Sequence, residues 1–320
     1  PQPDDNVYTV FEGINQIGSE MGYVVDFHNS NENIKKISDD DIINTIEIAD
    51  LYDIVIVVVG DNSMRYKWNQ KTAGENTARA DLNLAGKQLD LVRRLKELEK
   101  NVIVVYVNGR PISEPWISEN INAIIEAWEP GSFGGLAVGE IIFGKTNPSG
   151  KLPLTIARSV GQLKMFYNHK PSMYFRNYAI QNNKPLYSFG YGLSYTKFQI
   201  SEPELKSSKF EEDILNVSVE VKNIGNVAGD EIVQLYISDK FSSVTRPVKE
   251  LKEFQRVSLK PDESKVITFE LDKSAFAFYD LDMNLIIEAG EFDIHVGNSS
   301  RDEDLKTTNL SVEKTIYLND

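Results

Sequence analysis

Residues 54–88 read IVIVVVGDNSMRYKWNQKTAGENTARADLNLAGKQ. Ile54–Val59 is an unbroken apolar run, mostly β-branched, that stops at Gly60-Asp61-Asn62. Such a run predicts a strand buried on both faces, as in a parallel sheet with helices on each side. The polar loop 61–81 follows, and then a helix that opens near Leu82–Gly86. Loops of that length inside a compact domain are uncommon and are usually functional or disordered. In open α/β sheets the binding crevice lies outside the carboxyl ends of the strands, which is where this loop leaves. Glu75, preceded by Gly74, sits near its middle, so any chemistry is expected to involve it.

Outward from this stretch the same pattern repeats. Upstream, Val10–Met21 reads as a short amphipathic helix and Tyr23–Phe27 as a strand. Ser38 followed by Asp39-Asp40-Asp41 is a capping signal for a helix over Asp41–Asp50, since a side-chain oxygen there accepts from orphan N–H groups. Downstream, Leu84, Gln88, Leu91, Val92, Leu95 and Leu98 fall at helical spacing. Asn101–Val107 is a second buried strand, ending in the turn Asn108-Gly109-Arg110-Pro111. Residues 113–120 form a short helix, Ala123–Trp128 a third parallel strand, and Phe133–Phe143 a helix of small residues. Pro148–Ile156 reads as a turn and an edge strand. Repeated strand–helix units argue for an α/β layered sandwich.

The character changes after residues 157–196, which are irregular and rich in aromatics and Asn. From about Gln199 the helical period gives way to alternation: Leu215–Asn223, Glu231–Asp239, Val248–Val257, Val266–Leu271 and Glu291–Val296, with turn residues between. That is the pattern of an all-β antiparallel sandwich. The expected domains are 1–196 and 197–320.

Composition narrows the class. The net charge of −14 argues against a nucleic-acid binder, which needs a basic face, and against attraction to an anionic membrane surface. It fits a chain that meets neutral small molecules or polymers. The absence of cysteine removes disulfides, thiolate metal sites and thiol nucleophiles. No apolar stretch has the length of a membrane span. The start, PQPDDNVYTVFEGIN, has neither the basic region nor the apolar region of a signal peptide. It goes straight into a helical pattern with no preceding strand, which reads as an unnatural beginning.

Several motifs stand in one order. Trp128-Glu129-Pro130-Gly131 with Gly134-Gly135 follows W-x-P-G-x-x-G-G. Residues 143–153, FGKTNPSGKLP, follow F-G-x-x-N-P-S-G-K-L-P, and residues 189–195 read F-G-Y-G-L-S-Y. In the sandwich stand Val233-Gln234-Leu235-Tyr236 and Arg246-Pro247-Val248-Lys249-Glu250-Leu251-Lys252. Together they resemble family 3 glycoside hydrolases, the β-glucosidase and β-xylosidase family, from their second domain through their fibronectin type III-like domain.

The resemblance implies an (α/β)6-sandwich domain lacking its first strand and helix, then the fibronectin-like domain. It also implies a missing N-terminal barrel that carries the nucleophilic Asp; Ser38-Asp39 and Ser238-Asp239 do not fit that role. Glu75-Asn76-Thr77-Ala78-Arg79-Ala80-Asp81-Leu82 resembles the E-x-x-x-R-x-D-[LI] loop in which some family members carry their acid/base; without the resemblance Glu75 reads as a solvated loop carboxylate. Ala78 and Ala85 depart from the Asp and Pro of many relatives. Arg79 then orients Glu75 or caps the helix start. Asp61 touches substrate or docks the barrel. Arg65, Tyr66 and Trp68 line outer sugar subsites or pack the loop. His169 reads as structural.

The implied activity is retaining, exo-acting hydrolysis of terminal β-linked sugars from an oligosaccharide or glucoside, with no metal or organic cofactor. The isolated chain is expected to be inactive, and the parent secreted or periplasmic. The rival reading is a non-catalytic carbohydrate-binding or scaffold module derived from such an enzyme.

Overall fold

The computed structural model describes residues 7–63, 68–171, 178–210 and 213–318. The chain divides into two compact units, Pro1–Thr146 with Ile156–Leu163, and Asn147–Thr155 with Lys164–Asp320.

In the first unit three strands, β1 (Ile54–Gly60), β2 (Asn101–Val107) and β3 (Ala123–Glu126), form a parallel sheet in that order. Ile54 stands opposite Asn101 and Gly60 opposite Val107, so β1 and β2 end level. Alternate side chains leave by opposite faces. Val104 and Tyr106 pack with Val92, Leu95 and Ile117, from α3 (Gln88–Lys96) and α4 (Pro115–Asn120). Helix α2 (Asp39–Ala49) joins that side through Ile42 and Ala49. Val105 packs on the other face with Ile14 and Val138, from α1 (Val10–Glu20) and α5 (Gly134–Ile142). The backbones of α1 and α5 nearly touch, because a Cβ on Gly13 would lie 2.0 Å from the Gly135 carbonyl carbon. The small-residue pattern of α5 thus serves helix packing. The Ser38 cap is present as a reciprocal pair: Ser38 Oγ accepts from the Asp41 N–H at 3.1 Å, and the Asp41 carboxylate accepts from the Ser38 N–H at 2.9 Å. Donation by the Ser38 backbone, then by its hydroxyl, holds the Asp41 carboxyl below the usual range.

Four expectations change. Tyr23–Phe27 is not a paired strand among the described residues; Val24 is 85 % exposed. Apolar composition gives a segment its preference, but a strand needs a partner edge, and among the described residues none lies beside it. Beyond it is a groove of about 1000 Å³ lined by Tyr23–Phe27 and β1. β1 is therefore not buried on both faces, since Ile54 and Val58 are half exposed. Pro148–Ile156 is likewise no strand: two prolines remove ladder donors. Its backbone instead exchanges two hydrogen bonds with the motif near Gly190, Leu152 N–H to the Tyr191 carbonyl and Gly190 N–H to the Leu152 carbonyl. Helix α3 also begins later than expected, at Gln88.

The second unit holds the sandwich. One sheet runs in the order β13 (Leu305–Val312), β12 (Gly290–Gly297), β7 (Gly229–Asp239) and β8 (Glu250–Leu259). The other centres on β6 (Ile214–Asn223), flanked by β9 (Ser264–Asp272) and by the short β4 (Phe198–Ile200) and β5 (Glu204–Leu205). A third small sheet joins β10 (Phe278–Tyr279), β11 (Leu285–Ile287) and β14 (Ile316–Tyr317). Inward residues of both main sheets meet in one core, including Val217, Val219, Leu235, Phe269, Ile294 and Leu310. The aromatic motif at 189–195 is pinned to this unit. Phe189 stacks on Tyr167 with ring centroids 4.3 Å apart, and its carbonyl accepts from both Ser300 N–H and Ser300 Oγ.

Candidate active site

The carboxyl ends of β1, β2 and β3 carry a polar network that fixes the long loop at its two flanks. Gly60 ends β1 where a Cβ would lie 1.9 Å from the Val107 carbonyl oxygen, so only glycine fits. The buried Gln88 amide completes this end, donating to the Gly60 carbonyl and accepting from its N–H, each at 2.9 Å.

Asp61 follows. Its carboxylate faces inward and is 1 % exposed, with Arg110 Nε 2.7 Å from Oδ2. Thr72 Oγ1 donates to Asp61 Oδ1 at 3.0 Å. Thr72 Oγ1 also accepts from Asn62 N–H, and Thr72 N–H donates to the Asn62 carbonyl, each at 2.9 Å. These contacts close the first half of the loop into a ring. Arg65 and Tyr66 lie outside the described residues.

The far flank is closed by two guanidinium groups that converge on one carbonyl. Arg110 Nη2 and Arg79 Nη2 donate to the Asn83 carbonyl at 2.9 and 3.0 Å. Arg79 also pairs with Asp81 at 2.5 Å, and that donation, above all, holds the Asp81 carboxyl below its usual range. Glu114, buried, accepts from the Leu84 N–H at 2.8 Å; burial is the main cause of its raised carboxyl pKa. Arg79 is thus engaged at the approach to α3.

Between the two flanks the chain makes a tight turn over Gly74–Thr77, closed by Thr77 N–H to the Gly74 carbonyl at 2.9 Å. Glu75 occupies the second position and is exposed. Asn76 stands at φ +59° while Glu75 keeps a negative φ, which makes this a type II turn. Lys71, only 4 % exposed, donates from Nζ to the Glu75 carbonyl at 2.5 Å. The same ammonium lies 4.6 Å from the centroid of the Trp68 ring, which is 57 % exposed.

Two carboxylates that sequence reading passed over stand at the end of β3. Glu129 accepts from Ser63 Oγ at 2.7 Å. Glu126 accepts from the Trp128 N–H at 3.2 Å, and burial raises its pKa to about 7. Their sequence signal was their place after a buried strand, where Asp61 and Asn108 also fall.

The Glu126 shift carries a prediction. The unfolded pKa lies near 4.5 and the folded one near 7, so the native state keeps a proton that the unfolded state releases between those values. The contribution of Glu126 to stability is therefore full below pH 4.5 and is lost as pH rises through 7, by about 3 kcal/mol. Glu126→Gln removes the titration. The difference in urea midpoint, variant minus wild type, should rise between pH 5 and pH 8. Trp68, Trp116 and Trp128 are the only tryptophans and all lie in the first unit, so their fluorescence reports it. An equal difference at both pH values would overturn the assignment.

The model of the glycosyl hydrolase family 3 C-terminal domain matches residues 3–195, and that of the fibronectin type III-like domain matches residues 231–300. A β-xylosidase of Formosa agariphila is 42 % identical over 84 % of this chain, which covers 37 % of that protein. A periplasmic β-glucosidase of Salmonella typhimurium is 37 % identical over 87 % of this chain, again covering 37 % of the relative. A solved β-glucosidase of Erythrobacter marinus superimposes with a TM-score of 0.88 at 34 % identity, over 98 % of this chain and 44 % of that one. A β-glucosidase of Listeria innocua in complex with laminaribiose gives 0.85 at 30 % identity, over 96 % and 42 %. The chain thus spans little more than a third of the length of the curated relatives it matches. With the family model matched over residues 3–195 of 320, the chain belongs to glycosyl hydrolase family 3.

Proposed function

We propose that this chain is the C-terminal part of a retaining, exo-acting β-glycosidase, most simply a β-glucosidase, in which Glu75 is the general acid/base. One observation supports this above the rest: Glu75 is held out, exposed, at the tip of a turn whose flanks are tied, through Thr72 and through Asn83, to Asp61 and Arg110 at the carboxyl ends of β1 and β2. A solvated surface carboxylate has no need of such a frame. Retaining hydrolysis sets two carboxyl groups about 5–5.5 Å apart across the scissile bond, one attacking the anomeric carbon and the other protonating the leaving oxygen. In this reading a barrel domain supplies the nucleophile and the burial a general acid needs. Glu75 protonates the leaving oxygen and then deprotonates the incoming water.

The groove beside β1 supports a further part of the reading. It is lined on one side by β1, where Ile54 and Val58 are exposed, and on the other by Tyr23–Phe27, so we place the domain's opening strand there. Among the described residues no helix is long and apolar enough to cross a membrane. The name of the Salmonella typhimurium relative supports a periplasmic or secreted setting.

The stereochemical test is direct. The full-length enzyme is expected to release β-glucose first from an aryl β-glucoside, as followed by proton NMR before mutarotation. First release of the α-anomer would overturn the retaining mechanism, and no release from β-glucosides or β-xylosides would overturn the activity.

A further inference from the structure

We propose that Lys71 is a positioning residue that holds the Glu75 turn in one of two peptide orientations; this rests on the reading of Glu75 as the acid/base. In the turn Gly74–Thr77 the central peptide joins Glu75 to Asn76. Types I and II differ in the direction of that peptide: its carbonyl points to opposite sides, and the residue after it has φ near −90° in one and positive in the other. Asn76 at φ +59° marks the type II state. Asn tolerates that region without favouring it as glycine does, so the turn sequence alone does not fix the choice.

Lys71 fixes it. Its Nζ meets the carbonyl of that very peptide, the Glu75 carbonyl, at 2.5 Å. A charge-assisted bond from a buried ammonium is among the stronger hydrogen bonds a side chain makes to backbone. The ammonium has little freedom to leave. The side chain is 4 % exposed, the Trp68 ring covers it at 4.6 Å, and Lys71 N–H is tied back to the Trp68 carbonyl at 3.2 Å. Flipping the peptide would turn the carbonyl away and leave a buried charge without this acceptor, which is costly. The Glu75 side chain leaves from the Cα at one end of the flipping peptide. A change of ψ there changes which χ1 rotamers the Glu75 side chain can adopt, and so where the carboxylate sits relative to a substrate held elsewhere. Misplacing a reacting group by about 1 Å costs about 100-fold in rate. A lysine in a polar loop is thereby given a role on the acid/base without touching substrate.

The test compares Lys71→Met, which keeps the stem and removes the ammonium, with Lys71→Arg, which keeps charge and donors. In the full-length enzyme, kcat/KM for a phenyl glucoside, a poor leaving group that needs the acid, should fall by about 10- to 100-fold in Lys71→Met. For a dinitrophenyl glucoside, which leaves without a proton, kcat/KM should hold. Lys71→Arg should recover part of the loss. An equal fall for both substrates, or none for phenyl glucoside, would overturn the proposal; loss of fold alone lowers both alike. Glu75→Ala is the control for the underlying reading, and its failure to discriminate the two substrates would sink the acid/base role instead. A second measurement, on this chain itself, does not depend on that role. The distance from Glu75 Hα to Asn76 H–N is short in a type II turn and long in type I, so the strong NOE between them should weaken in Lys71→Met while NOEs within β2 stay unchanged, and an unaltered NOE would overturn the anchoring.

Discussion

Glu75→Ala in the full-length enzyme is expected to lower kcat/KM for phenyl glucoside by about 10²- to 10⁴-fold, the usual worth of a positioned general acid. The same variant should keep nearly wild-type kcat/KM on dinitrophenyl glucoside, because that leaving group departs as a stable anion. Its kcat on that substrate should still fall, since the glycosyl-enzyme then waits for a water that no base deprotonates. The intermediate accumulates and KM falls with kcat. Added azide should restore turnover. It attacks the anomeric carbon as an anion, displaces the enzyme carboxylate, needs no proton removed, and leaves as the β-glycosyl azide. Glu75→Gln should behave as the Ala variant does on phenyl glucoside but respond less to azide, as the amide still fills the space the anion would enter. Unchanged hydrolysis of phenyl glucoside by both variants would remove Glu75 from the mechanism. So would the absence of azide rescue together with loss of activity on both substrates.

The turn that carries Glu75 was half legible. The run Ile54–Val59, its stop at Gly60 and the polar loop are local features, and β1 and the loop stand where they place them. The alternation in the sandwich is equally local, and β6, β7, β9 and β12 enclose the strands read from it within a few residues. Partnership was not legible. Tyr23–Phe27 has the apolar, β-branched and aromatic make-up of a strand, yet whether it pairs depends on an edge that the segment's own residues do not encode. Short strands such as β4, β5 and β14 carry too few residues for a period to register. At the site the same divide holds. Glu75 stands out because an acidic residue after glycine in a long loop is a local signal. Lys71 does not, because a lysine in polar sequence reads as solvated until its neighbours are known. Arg110, read only as part of a turn, meets Asp61 across 49 positions of sequence, a distance no spacing argument bridges.

That long-range pair sets the largest stability effect expected here. Asp61→Ala removes one member of an ion pair whose carboxylate is 1 % exposed and whose guanidinium is 17 % exposed. The pair itself need not be strongly stabilising, because both ions lose water on burial. Removing one partner is another matter: it leaves Arg110 buried without its counter-ion, at a cost of about 3–5 kcal/mol. Thr72 loses its acceptor at the same time, which frees the first flank of the loop. The urea midpoint followed by tryptophan fluorescence should therefore fall sharply. Asp61→Asn should fall less, because an amide oxygen still accepts from Thr72 and from the guanidinium. Asp61→Ala combined with Arg110→Met should be more stable than Asp61→Ala alone, since the stranded charge has gone and the methionine fills the stem's volume. Raised salt should change the wild-type midpoint little through this pair, as buried ions are poorly screened. A double variant no more stable than the single one would show that the loss came from packing around Asp61 and not from the uncompensated guanidinium. If Asp61→Ala also lowers kcat/KM for phenyl glucoside while sparing dinitrophenyl glucoside, the ring through Thr72 is what carries the rigidity of the sheet out to Glu75.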